Sequence, residues 1–224
     1  MHSHQMTARN TQAHVAATIA RPQAMGETIE LMGAVMPFAR NAEVYGENEP
    51  AEYLYKVVSG AVRTYRVLND GRRQIGAFYL PGDVFGIEVG DQHTFSAESI
   101  VDSKVMLIKR SSLLSLASRS VDVSRQLWTM AAAELQRTQD HTMLLIKTAQ
   151  ERVAGFLLEM AKRAPRANTV ELPMSRQDIA DYLGLTIETV SRTLTQLENS
   201  AAIEVPTSRR IVLRNQAALS RLNG

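Results

Sequence analysis

The 224-residue chain contains no cysteine. That excludes a disulfide, a thiolate switch and any cysteine-ligated iron–sulfur cluster built from this chain. No apolar run approaches about 18 residues, so no transmembrane helix is predicted. The start, MHSHQMTARNTQAH, lacks the charged stretch and apolar block of a signal peptide. The expectation is a cytoplasmic protein with no membrane partner. His2, His4 and His14 have neither acidic nor cysteine companions, so they read as an arm, not as a metal site. Neither sign of charge dominates: 25 Lys and Arg face 23 Asp and Glu, for a net +2. The residues up to Thr148 carry 15 bases and 15 acids, and those from Ala149 onward 10 and 8. A polybasic tail is excluded, and any polyanion would have to be recognised through particular contacts. No nucleophile–base pair, Gly-rich phosphate loop or His/carboxylate metal spacing is present. Glu88 with His93 comes nearest, in a turn-rich stretch. The expectation is a protein that is not an enzyme, with no cofactor and no metal.

What is present divides into three patterns. From Tyr53 to Ile108 short β-rich runs alternate with turns at Asn69-Asp70-Gly71, Pro81-Gly82-Asp83 and Gly90-Asp91. This suits a small β-roll or jelly-roll barrel, with Ile100, Val105, Leu107 and Ile108 as core candidates. From Val121 to about Ala149 there is neither Pro nor Gly. Trp128, Ala131, Leu135, Thr138, Thr142, Leu145 and Ala149 follow alternating steps of three and four, a heptad seam for a parallel dimer. Met130, Met143 and Ile146 lie off that seam and are expected against the roll. The alternative is a single core helix within a monomer. Next, ERVAGFLLEMAKRA predicts an amphipathic helix with Val153, Phe156, Leu157 and Met160 inward.

The third pattern is SRQDIADYLGLTIETVSRTLTQL, Ser175 to Leu197. Ile179, Ala180, Leu183 and Leu185 mark one buried face, and Val190, Leu194 and Leu197 another. Gly184 supplies the sharp turn and Thr186 an N-cap, as a helix-turn-helix requires. Ile187, Glu188, Ser191 and Arg192 are left facing outward. Arg can fork onto guanine N7 and O6, Glu can accept from cytosine N4, and Ile187 or Thr189 can touch a thymine methyl. Ser191 can bond a base or a phosphate. Ser175, Arg176, Thr186 and Thr189, at the starts of the two helices, are assigned to the DNA backbone. After Leu197, IEVPTSRRIVL predicts a β-hairpin wing. Thr207, Ser208, Arg209 and Arg210 at its tip carry donors for phosphate.

TIETVSRTLTQLE, preceded by SRQDIADYLGL, resembles the recognition segment of the cyclic-AMP receptor protein/FNR regulators, and the FixK branch in particular. The resemblance spans most of the chain. It implies an α+β protein with an N-terminal arm over 1–27 and a β-roll (cyclic-nucleotide-binding-like) domain over 28–118. A dimerisation helix over 119–148 and a C-terminal winged helix-turn-helix domain over 149–224 would follow. It also implies a homodimeric regulator, an activator by expectation. Such a protein binds double-stranded DNA at a TTGA-type inverted repeat and touches RNA polymerase through exposed loops. Nucleotide-binding relatives need a Gly-Glu pair and a later Arg for the cyclic phosphate. Here Gly86-Ile87-Glu88 is out of register by one, and His93-Thr94 stands where the Arg is expected. A neutral imidazole does not replace a bidentate Arg, so action without a small effector is expected. A ligand-gated regulator is the alternative. The missing cysteines separate the chain from FNR proper. Many FixK relatives carry Met-Cys-Arg before the helix-turn-helix where this chain has Met174-Ser175-Arg176. Ser175 is therefore either a natural absence of that thiol or an engineered replacement.

Overall fold

Eight short strands run into three helices, and these into a helix-turn-helix flanked by a small sheet, in a computed structural model that describes residues 32–164 and 168–223. The expected arm over 1–27, with His2, His4 and His14, lies outside the described residues.

The strands are β1 (Ala34–Phe38), β2 (Glu43–Tyr45), β3 (Tyr53–Ser59), β4 (Val62–Val67), β5 (Arg73–Tyr79), β6 (Val84–Phe85), β7 (Ser96–Ser99) and β8 (Ser103–Lys109). They form two four-stranded antiparallel sheets, ordered β1-β8-β3-β6 and β2-β7-β4-β5. Alternating side chains bury Val57, Val62, Ala97 and Val105 between them. Phe85 sits among Tyr45, Tyr55 and Tyr79, with ring centroids 6.1, 5.2 and 4.9 Å away. Gly60 has φ +88°, and a Cβ there would stand 2.7 Å from the Asp102 carbonyl oxygen, so only glycine fits this corner. Of the expected core, Ile100, Val105 and Ile108 are buried and Leu107 packs from the edge.

Two helices follow, α1 (Arg110–Ala117) and α2 (Val121–Leu145), the second opened by the Ser120 side chain accepting from the Val123 N–H. At 25 residues α2 is roughly 37 Å long. It stops at Leu145, and α3 (Ala149–Arg163) starts on a capping box between Thr148 and Glu151. Ala149 therefore belongs to α3 and not to the heptad seam, which ends at Leu145. The remaining seam positions are exposed or, at Leu145, half-buried, with Trp128 at 76% and Leu135 at 59%. Val121, seven residues before Trp128, extends the row. Met130 packs, as expected of it, against a cluster that holds Leu54, Met106 and Ile108 of the roll, together with Leu113 of α1. Met143 and Ile146 do not reach the roll and are exposed. At this end Leu144 faces the core, and those two stand roughly 100° and 160° round the helix from it.

The C-terminal unit contains β9 (Thr169–Glu171), α4 (Arg176–Leu183), α5 (Ile187–Asn199), β10 (Ile203–Thr207), β11 (Arg210–Leu213) and α6 (Gln216–Asn223). Its sheet is antiparallel in the order β10-β11-β9. The short α6, which no sequence pattern announced, packs Leu219 into the same core as α3. That core continues into the roll through Ala61, Ile75, Phe78 and Ile100. The Phe78 ring lies 5.1 Å from Tyr182 and 6.2 Å, edge on, from Phe156. Asp83 of the roll accepts from Arg137 of α2 at 3.2 Å and from Arg163 of α3. The unit is thus packed onto the roll, not tethered beside it. Among the described residues no helix is long and apolar enough to cross a membrane.

Phe156 is fully buried where roll, α3 and α4 meet. Phe156→Ala is expected to cost about 3–5 kcal/mol, read as a lower midpoint in urea unfolding followed by circular dichroism.

Candidate nucleic-acid interface

Local chemistry sets the two reader helices. Ser175 caps α4: its hydroxyl accepts from the Asp178 N–H at 3.1 Å, and Asp178 Oδ2 accepts from the Ser175 N–H at 2.9 Å. Gly184 ends α4 at φ +62°, a left-handed conformation that glycine adopts without steric cost. Thr186 opens α5 by accepting from the Thr189 N–H at 3.2 Å. The apolar faces turn inward: Ile179, Ala180 and Leu183 on α4, and Val190, Leu194 and Leu197 on α5, are buried. Leu185 in the turn packs at the edge of the same core.

The outer face of α5 carries the residues marked for base edges. Glu188 and Arg192 are exposed, while Ile187 and Ser191 are half-buried. A bond from its own backbone N–H, and then the Thr186 hydroxyl, hold the Glu188 carboxyl below its usual pKa. A carboxylate in the first turn also suits the positive end of the helix. Arg192 Nη2 lies 3.5 Å from Thr189 Oγ1. Ser191 Oγ accepts from Arg176 Nη1 at 3.3 Å, which joins the first turn of α4 to the middle of α5. Thr186 and Thr189 hydroxyls are 3.1 Å apart.

The wing places Thr207 opposite Arg210, with Ser208 and Arg209 at the tip. Thr207, Ser208 and Arg210 are exposed. Arg209 folds back: its guanidinium donates to the Pro173 carbonyl, and Arg210 pairs with Glu171 at 3.3 Å. Ser175 spends its hydroxyl on Asp178. Residues that sequence reasoning passed over are Asp178 and Thr193, both buried polar side chains in the reader. Asp178 meets Arg63 and Arg73 of the roll. No local signal could have found a contact more than 100 residues apart in sequence.

A cavity of about 330 Å³ lies between the roll and α2, bounded by Tyr45, Thr64, Glu88, Glu134, Thr138 and His141 among others. Among the described residues no Lys or Arg lines it. Glu88 accepts from the Thr94 N–H at 3.0 Å, and Glu134 accepts from the Tyr79 hydroxyl at 2.8 Å. His93 is buried against the Tyr45 ring, 3.6 Å between centroids, and its Nδ1 is 3.5 Å from Glu88. Burial pushes the His93 pKa down despite that carboxylate, so no cation stands at the position expected of the phosphate-binding Arg.

Residues 35–120 match the cyclic nucleotide-binding domain family, and residues 151–222 match the Crp-like helix-turn-helix domain family. The transcriptional activatory protein AadR of Rhodopseudomonas palustris is 39% identical over 80% of this chain and 77% of its own length. A roll of this kind feeding a winged helix-turn-helix defines a DNA-binding transcription regulator, and the chain belongs to the CRP/FNR family. The FixK nitrogen fixation regulation protein of Azorhizobium caulinodans is 50% identical over 91% of this chain and 84% of that protein. The structure of FixK2 from Bradyrhizobium japonicum superposes with a TM-score of 0.83 at 54% identity, covering 86% of this chain and 98% of that one. Within the family the chain is therefore FixK-like.

Burial lowers the pKa of His93 and of His141, whose ring stacks on Tyr182 at 4.0 Å with Nε2 2.8 Å from the Tyr182 carbonyl. Each therefore takes up a proton more readily unfolded than folded. Stability is full above the ordinary His range and is lost as pH falls below about 6.5 towards the lowered folded values. The urea midpoint is expected to drop between about pH 7.5 and pH 5.5, and His141→Phe to make that drop shallower.

Proposed function

We propose that the chain works as a homodimeric, sequence-specific transcription activator in the cytoplasm. It binds a TTGA-type inverted repeat without requiring a small effector and contacts RNA polymerase from exposed loops. The observation that carries this reading is the row Glu188, Ser191 and Arg192 on the outer side of α5, opposite the buried Val190, Leu194 and Leu197. In the major groove Arg192 would fork onto a guanine, Glu188 would accept from a cytosine N4, and Ile187 would touch a thymine methyl. Ser191 would bond a base with its orientation set by Arg176. Ser175, Arg176, Thr186 and Thr189, with Thr207, Ser208 and Arg209 of the wing, would meet the DNA backbone. Ser175 bonds Asp178 through both its hydroxyl and its N–H, and Arg209 bonds the Pro173 carbonyl and the Thr207 hydroxyl, so a phosphate would have to exchange for those partners.

The exposed row Val121, Trp128 and Leu135 supports pairing through α2, because large apolar groups at heptad spacing are covered in a parallel pair. The two readers would then meet half-sites about 34–36 Å apart. The arm is assigned to 1–27, the roll to 28–118, the dimerisation helix to 119–148 and the DNA-binding domain to 149–224. The activator role accords with the description of AadR as a transcriptional activatory protein. Effector independence is supported by the cavity between the roll and α2, where two carboxylates and no cation would meet a phosphate. The volume of that cavity, about 330 Å³, favours a second reading in which a ligand gates DNA binding. Titration of DNA affinity with cyclic nucleotides separates the two.

Selection of bound sites from random duplex DNA tests the operator directly. Arg192→Ala is expected to cost about 1–3 kcal/mol in operator binding and to relax discrimination at one base pair. A specificity profile identical to that of the parent protein would refute the assignment.

A further inference from the structure

Asp178 of α4 is the meeting point of the roll and the reader. Its side chain is 4% exposed. Oδ1 accepts from Arg63 Nη1 at 2.9 Å and from Arg73 Nη2 at 2.7 Å, while Oδ2 accepts from the Ser175 N–H and hydroxyl at 2.9 and 2.8 Å. One carboxylate thus closes the first turn of the reader and ties that turn to two strands of the roll, β4 and β5. Arg63 sends its other nitrogen to Glu98 of β7 at 2.8 Å, and Arg73 Nε donates to Asp181 of α4 at 2.8 Å. Gln74 adds a bond to the Tyr182 carbonyl at 3.3 Å.

From this geometry we propose that the Arg63–Asp178–Arg73 cluster holds each reader at one orientation on its roll, and thereby sets which half-site spacing the dimer accepts. The apolar contact of Phe78 with Phe156 and Tyr182 is non-directional and tolerates sliding. Forked charge-assisted bonds do not. With the Arg63 side chain 9% exposed, a small displacement would strand a guanidinium and a carboxylate apart before water could reach either. Intermediate orientations are therefore excluded, and the joint at Ile146–Thr148 between α2 and α3 is denied its freedom. Asp83, the ionic contact of the roll with α3, holds that helix and not the reader pair. Arg63, Arg73 and Asp178 are positioning residues: they touch no DNA but decide how far apart the two α5 helices stand.

This inference rests on the two-fold reading under "Proposed function". The experiment uses the full-length protein and a series of operators with the spacer between half-sites lengthened or shortened by one and two base pairs. The variant Arg63→Met with Asp178→Asn and Glu98→Gln removes the charges of the cluster around Arg63 together, so no carboxylate is stranded there, and the Asn oxygen can still cap α4. Affinity for the best spacer is expected to fall about tenfold, with the ratio between best and altered spacers collapsing towards one. Affinity for a single half-site should stay at the parent level. Arg63→Lys, which keeps the charge but loses the fork, should restore part of the discrimination. Should the triple variant fold poorly by circular dichroism, Arg73→Met, at a side chain 26% exposed, reads the same effect as a partial loss. Parent-like spacing ratios in whichever of these variants folds would overturn the inference. Equal binding of single and paired half-sites by the parent protein would instead overturn the two-fold reading.

Discussion

Phe78 on the roll, Phe156 on α3 and Tyr182 on α4 form one aromatic contact, and the placement of the reader depends on it. It lies in one core that runs from Ala61, Ile75 and Ile100 of the roll into the helix-turn-helix. The contact is framed by polar ties that give it direction: Asp178 with Arg63 and Arg73, and Asp83 with Arg137 and Arg163. Apolar burial supplies the adhesion and the ionic forks supply the register. The α4 side of the helix-turn-helix is thus held to the roll, and the start of α5, with Thr186, Ile187, Glu188 and Thr189, lines a cleft shared with Leu68, Arg72 and Arg73 of the roll.

The roll keeps a cavity against α2 whose described lining is acidic and aromatic. The space between roll and α2 that the cyclic nucleotide-binding family name points to is still there, at about 330 Å³. Its lining includes Glu88 and Glu134 and, among the described residues, no guanidinium or ammonium. Glu88 is engaged by Thr94, and Glu134 by Tyr79 and by Arg137 at 3.0 Å. His93, at the position where a phosphate-binding Arg was expected, is buried against tyrosine rings and holds its proton less readily than a free imidazole.

Much of the reader was legible because its signals are local. Ser175, Gly184 and Thr186 mark helix ends through bonds to residues within one turn, and the steps between Val190, Leu194 and Leu197 mark a face. The hairpins of the roll and the wing were legible from turn residues between alternating runs. The break at Ile146–Thr148 was legible only to within a few residues, because the seam could run on to Ala149, which the capping box of Thr148 and Glu151 assigns to the next helix. Met143 and Ile146 were misplaced because they stand round the helix from Leu144, which faces the core, and a seam alone does not tell which of the remaining faces meets the body of the protein. The short α6 escaped because its helicity is secured by Leu219 packing on α3 and not by any pattern of its own.

The order of side chains along the chain was enough to determine that two short helices would bury their apolar faces and leave Glu188, Ser191 and Arg192 outside. Capping and amphipathic periodicity act over a few residues and need no partner elsewhere. Only the tertiary structure decided that Asp178, which sequence reading left without a role, would both cap the reader and fasten it to the roll. That pairing joins residues more than 100 apart, and it exists because burial of Phe78 against Tyr182 brings β4 and β5 up to α4.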